Sequence, residues 1–152
     1  MKGQLHGMIS LVLILLSIIV ALSALISESV TLGVGYLVIA LVSPLIILYA
    51  FCAKCLCREA CRHVLPGRLT RFFPKRPQTD YTRSDIFWTV VPLMALFIFP
   101  QFWIWKNKAL FFLFWILCLA GVLEIFLLVC RGCRNTRCPI CPHKGDASLP
   151  ES

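Results

Sequence analysis

Four apolar runs, at 8–26, 31–51, 86–105 and 109–129, limit what this chain can fold into more than any other feature. Each is close to the ~20 residues an α-helix needs to cross ~30 Å of hydrocarbon, and the first three carry no charge. Inside a bilayer every backbone N–H and C=O must find a partner within the structure, so segments of this length and composition are helices. A hydrophobic content of 59% and a mean hydropathy of +0.85 lie outside the range of soluble domains. The expectation is an all-α integral membrane protein with four transmembrane helices. Lys2 and the small residues around Ala21 and Ser23 give the first run some features of a secretory signal. The run exceeds the ~7–15-residue signal core, however, and reads as an uncleaved anchor.

Charge sets the expected orientation. Lys2 precedes the first run; Lys54, Arg58, Arg62, Arg68, Arg71, Lys75, Arg76 and Arg83 lie between the second and third; Arg131, Arg134, Arg137 and Lys144 follow the fourth. These are thirteen of the fifteen basic residues, and only Lys106 and Lys108 fall on the other side. The positive-inside rule therefore predicts that both termini and the long loop are cytoplasmic. The net charge of +8 follows from this bias and from attraction to anionic headgroups, without recourse to nucleic acid. The other connections are too short for a soluble domain, so the soluble chemistry is expected on the basic face.

The chain reads as one unit used twice. A helical hairpin ends in Cys52-Ala-Lys-Cys55 and leads to Cys61-Arg-His63; a second ends in Cys130-Arg-Gly-Cys133 and leads to Cys141-Pro-His143. Cys52 to Cys130 and Cys55 to Cys133 are offsets of 78, and Cys61 to Cys141 and His63 to His143 are offsets of 80. A parallel repeat of two-crossing units would bring both cysteine groups to one membrane face. The predicted organisation is hairpin and cysteine motif at 1–65, a basic, aromatic linker at 66–85, the second hairpin and motif at 86–144, and a polar tail at 145–152. In the linker, Pro74 and Pro77 oppose helix, and Phe72 and Phe73 among basic residues suit the headgroup region. Arg68, Arg71, Lys75 and Arg76 are its candidate docking residues for lipid or an acidic partner. Thr82-Arg-Ser-Asp85 has the spacing of a helix start.

Eight of nine cysteines fall in the two clusters: Cys52, Cys55, Cys57 and Cys61, then Cys130, Cys133, Cys138 and Cys141. Cys118, alone in the fourth run, reads as a small apolar residue. A cytosolic location disfavours disulfides, because thiols there are kept reduced. S-acylation of Cys52 and Cys55 would account for their position but not for the spacing, the second copy or the trailing histidines. Metal ligation accounts for all of these, since a Cys-x2-Cys turn aims two thiolates at one centre and two such groups complete a four-sulfur shell. The flanking arginines and lysines would lower thiolate pKa values and offset the charge of a thiolate cluster. His63 and His143 are candidate fourth ligands or hydrogen-bond donors to the ligands.

Two metals remain open. Cys-x2-Cys-x-Cys-x3-Cys in the first copy is one residue short of the bacterial ferredoxin run, and Cys138 and Cys141 both precede prolines. With the hairpin plan, Cys138-Pro139 and Cys141-Pro142 resemble the membrane-anchored ferredoxin-like subunits of quinol-oxidising nitrate reductase pathways. That resemblance implies cytoplasmic 4Fe-4S clusters that exchange electrons with quinone, although this chain spaces its Cys-Pro motifs differently and lacks their full ferredoxin domains. Zinc is the alternative, two ions in all, because Cys130-x2-Cys133-x4-Cys138-x4-His143 resembles a retroviral-type zinc knuckle with its last two ligand types exchanged.

Glu124 is the only acidic residue in the four runs. It is a candidate proton handler, or a structural carboxylate reaching towards the headgroups and Arg131. His6 has no counterpart in the second unit and is assigned no role. No histidine lies within the runs, which excludes a bis-histidine haem in the bilayer. No nucleophile triad, phosphate-binding glycine loop or metalloprotease motif is present, and no polar track suggests a transporter. The functional expectation is a small membrane protein with two cytoplasmic four-cysteine sites. Iron–sulfur electron transfer between a soluble donor and quinone or a partner subunit comes first, and a structural zinc-binding scaffold or assembly protein is the alternative.

Overall fold

The computed structural model describes residues 2–55, 69–74, 76–77 and 80–130. The described residues are all helix, turn or coil, with no strand. Helix α1 (Lys2–Glu28) and α2 (Val30–Ala50) are separated by Ser29 alone, and α2 passes through Phe51 into a 3-10 turn at Cys52–Lys54. A second 3-10 turn covers Thr70–Phe72. Helix α3 (Arg83–Ile98) is followed by the short α4 (Gln101–Ile104) and then by α5 (Lys108–Glu124), which runs on into a π-helical segment at Ile125–Val129. Four spans, Gln4–Glu28, Val30–Lys54, Arg83–Ile104 and Lys108–Val129, are long and apolar enough to cross a membrane. Residues such as Leu41, Phe112 and Ile116 point large apolar side chains outward at more than 60% exposure, a surface suited to lipid. The chain is an integral membrane protein.

The contact between α1 and α5 is built in part from small residues. Along α1, Ser10, Ser17, Ala21 and Ala24 are buried at spacings of seven, four and three, one seam of the helix. Lipid tails are as apolar as leucine, so helices associate here through close packing, and small residues allow close approach. The seam faces α5, with which α1 makes its most extensive contact. Opposite it, a Cβ on Gly121 would lie 3.0 Å from Ile14 Cγ1 and 3.4 Å from the Ser10 carbonyl oxygen. The serines tolerate burial because each hydroxyl donates within its own helix, Ser10 to Gly7 O at 3.1 Å and Ser17 to Ile14 O at 2.7 Å. Cys118 is buried in this core as the small residue expected of it.

The third span departs from a continuous helix over 86–105. Pro44 and Pro92 lie inside α2 and α3, but α3 ends at Ile98 and Pro100 caps the start of α4. Proline at 100 has no N–H to donate to the Leu96 carbonyl one turn back. That carbonyl instead accepts from the fully buried Tyr36 hydroxyl at 3.0 Å, and the Phe97 carbonyl accepts from Gln101 Nε2 at 2.7 Å. Gln101 also accepts from Trp115 Nε1 at 3.1 Å, so the break is held by both α2 and α5. Tyr36, Phe114, Leu25 and Ile104 form the apolar core here, with Phe97, Phe99 and Trp103 packed against it.

Helix contacts run from α3 to α2, from α2 to α1 and from α1 to α5, while α3 meets α5 through the Phe97–Phe114 ring pair rather than along its length. Lys106 Nζ bonds Glu28 Oε2 at 2.7 Å, tying the α1–α2 turn to the chain between α4 and α5. His6 beside Glu124 and Lys54 beside Asp85 mark the opposite end of the bundle. Replacing Gly121 by leucine should force α1 and α5 apart and cost about 1–3 kcal/mol, read as a lower midpoint of unfolding in a mixed-micelle denaturant titration. Gly35, whose Cβ would meet nothing within 4 Å, should accept alanine with little change.

Candidate functional site

The cysteine-bearing end of the bundle is organised by one carboxylate. Thr82 caps α3 as the Thr-x-x-Asp spacing predicts: its hydroxyl accepts from Asp85 N at 3.3 Å, and Asp85 Oδ2 accepts from Thr82 N at 3.0 Å. Asp85 does more than cap. Lys54 Nζ lies 2.7 Å from Asp85 Oδ2, and Arg76 Nη1 lies 3.0 Å from Asp85 Oδ1. Lys54 and Asp85 are almost wholly buried, at 4% and 3% side-chain exposure, whereas Arg76 retains 30%. An unpaired charge at such depth would be strongly disfavoured, so each member requires the others.

The same cluster completes the end of α2. The last carbonyls of a helix have no partner within it. Arg76 Nη1 reaches Ala50 O at 3.4 Å, and Tyr81 donates its hydroxyl to Phe51 O at 3.3 Å while its ring stacks on Phe51 at 4.6 Å. Lys54 Nζ donates further to Asp80 O at 2.7 Å. Arg76 also lies over the Tyr49 ring at 5.2 Å, a cation–π distance. The segment between α2 and α3 is expected to be an interfacial linker; of its described residues, Arg76 and Tyr81 hydrogen-bond the end of α2. Phe72 is 86% exposed.

Lys54 stands inside the Cys52–Cys55 motif, so this burial positions the cysteines. Cys55 N donates to Cys52 O at 3.1 Å, closing one 3-10 turn, and the buried side chain of Lys54 anchors that turn to α3. Cys130 follows the π segment, six residues after Glu124, at the same end as the α1 start. Cys52, Cys55 and Cys130 are the cluster cysteines within the described residues. Cys57, Cys61, Cys133, Cys138 and Cys141, together with His63 and His143, lie outside them, as do Arg68 and Lys75. Among the described residues no three His, Cys, Asp or Glu side chains gather into a metal-binding group.

Glu124 has a partner that the sequence reading passed over. His6 Nδ1 lies 3.1 Å from Glu124 Oε2, with the two side chains 34% and 25% exposed. His6, which has no counterpart in the second unit, is brought to Glu124 by packing: the small-residue seam sets the start of α1 alongside the end of α5. Arg131, the partner proposed from sequence, lies outside the described residues. The signals that could have pointed to these groups were faint but present: Lys54 at the centre of a Cys-x2-Cys turn, Asp85 as the acid of the capping box, and small residues at heptad spacing along α1.

No family model matches the chain, and no curated protein or solved structure is significantly similar to it. Its chemistry must be argued from its own residues.

Asp85→Asn should destabilise the protein by about 3–5 kcal/mol, because it strands the buried Lys54 ammonium. Lys54→Met combined with Asp85→Asn should recover part of that loss, and a double-mutant cycle in detergent would measure the coupling. Glu124→Gln, at a half-exposed pair, should change stability by less than about 1 kcal/mol in the same assay.

Proposed function

We propose that this protein is a membrane anchor for two cysteine-ligated iron–sulfur clusters, which carry electrons between a soluble donor and membrane quinone or a partner subunit. The observation that supports it best is the anchoring of the Cys52–Cys55 turn by Lys54 and Asp85, which holds two sulfur ligands in a fixed frame at the end of α2. Cys57 and Cys61 would complete the first four-sulfur set, and Cys130, Cys133, Cys138 and Cys141 would form the second. His63 and His143, each two residues after a cysteine in sequence, would be further donors. The distribution of basic residues favours a cytoplasmic location for this end, where thiols stay reduced and available to metal.

When bound, such clusters supply one-electron transfer. The chain's own residues hold the thiolates, offset their negative charge with flanking arginines and lysines, and keep the centres at the membrane rim. Glu124 and His6, hydrogen-bonded near that rim, are a candidate route for a quinol proton. The Cys130, Cys133, Cys138 and His143 spacing favours a second reading, in which two structural zinc ions clamp the loops of a membrane scaffold.

Anaerobic purification followed by metal analysis and a visible spectrum separates the readings. Electron transfer predicts brown protein with iron and acid-labile sulfide, and loss of about half the iron in the Cys52→Ser, Cys55→Ser double variant. Colourless protein with two zinc ions would establish the scaffold instead. Thioester-linked acyl chains on Cys52 and Cys55 with neither metal present would overturn both.

A further inference from the structure

Two cations converge on one carboxylate at the cysteine-bearing end. Lys54 and Arg76 both contact Asp85, and among the described residues their other contacts are uncharged groups: the Asp80 and Ala50 carbonyls and the Tyr81 and Tyr49 rings. Asp80 joins the cluster through its backbone oxygen, which accepts from Lys54, and the residue is exposed. The three ion-paired side chains, two cations and one carboxylate, thus carry one net positive charge, which favours an anion beside them.

Arg76 is the member of the cluster with an outlet. It and Asp85 line a groove of about 450 Å³ between α2 and α3, together with Leu45, Ile46 and Tyr49 of α2 and Ser84 and Trp88 of α3. The groove has a polarity gradient along the helix axes. Arg76, Ser84 and Tyr49 occupy the end of the bundle, and Leu45 and Trp88 lie about one helical turn deeper. Tyrosine and tryptophan in such positions belong at headgroup level. A charged head above an apolar wall matches an anionic amphiphile.

We propose that this groove is a binding site for one anionic phospholipid, with its phosphate on Arg76 and an acyl chain along Leu45, Ile46 and Trp88. The lipid neutralises the surplus charge and closes the outer side of the ion cluster that anchors the Cys52–Cys55 turn. The site stands independently of which metal, if any, the cysteines hold.

The test uses the full chain in neutral detergent, titrated with phosphatidylglycerol or phosphatidylcholine carrying brominated acyl chains, with quenching of tryptophan fluorescence as the readout. A Trp88→Phe control separates the groove from Trp103, Trp105 and Trp115. Phosphatidylglycerol should quench the Trp88 component at about fivefold lower concentration than phosphatidylcholine, as expected for one basic contact near the surface. Arg76→Gln should abolish that preference. Ser84→Phe, which leaves Lys54, Asp85 and Arg76 in place while filling the groove, should weaken quenching by both lipids and so guards against a folding defect in the first variant. Equal quenching by the two lipids, or a preference that survives Arg76→Gln, would overturn the proposal. Displacement of bound phosphatidylglycerol by a short-chain quinone analogue but not by excess anionic lipid would reassign the groove to quinone.

Discussion

Asp85 is the residue on which the cysteine-bearing end depends. Its carboxylate starts α3 through the capping box, neutralises Lys54 and holds Arg76 over the end of α2. Three segments, the end of α2, the chain at Arg76 and the start of α3, meet on those two oxygens. Near hydrocarbon an ion pair is costly to bury and costlier to break, so an arrangement of this kind contributes less to net stability than to specifying one geometry. Here the geometry specified includes a Cys-x2-Cys turn, which ties the ion cluster to the proposed metal chemistry. Electrostatics and ligand placement share one side chain, Lys54.

The opposite end is stabilised by different means. Tyr36, Phe114, Leu25 and Ile104 pack around the Pro100 break, and the carbonyl that proline leaves without a partner is taken by the Tyr36 hydroxyl. Between the two ends, α1 and α5 approach through serine, alanine and glycine. Bilayer hydrocarbon offers no gain for burying leucine against leucine, so shape and hydrogen bonding carry the association. This explains an α1–α5 contact lined in part by small and polar residues, with many large apolar side chains outside.

Much of the architecture was legible in the chain. The four runs matched four helices, because length and hydropathy are local properties; the Thr82 start of α3 was readable because a capping box spans four residues. The break at Pro100 was only partly legible, since Pro44 and Pro92 occur inside helices that continue. What separates them is the surroundings: Pro100 sits where Tyr36 and Gln101 can satisfy the released carbonyls. For the candidate site, composition exposed the cysteines but not the lysine between them, which in a positive-inside count is one basic residue among thirteen.

The amino-acid sequence by itself determined that this chain crosses a membrane, roughly where each helix lies, and that its thiols come in two spaced groups. Those properties follow from hydropathy and spacing along one stretch of chain at a time. Only the tertiary structure decided that Lys54 is buried against Asp85, that Arg76 caps α2, and that His6 meets Glu124 across 118 residues. Each pairs groups on different segments of the chain, and which helices become neighbours depends on close packing such as that along the α1 seam, a property of two surfaces together.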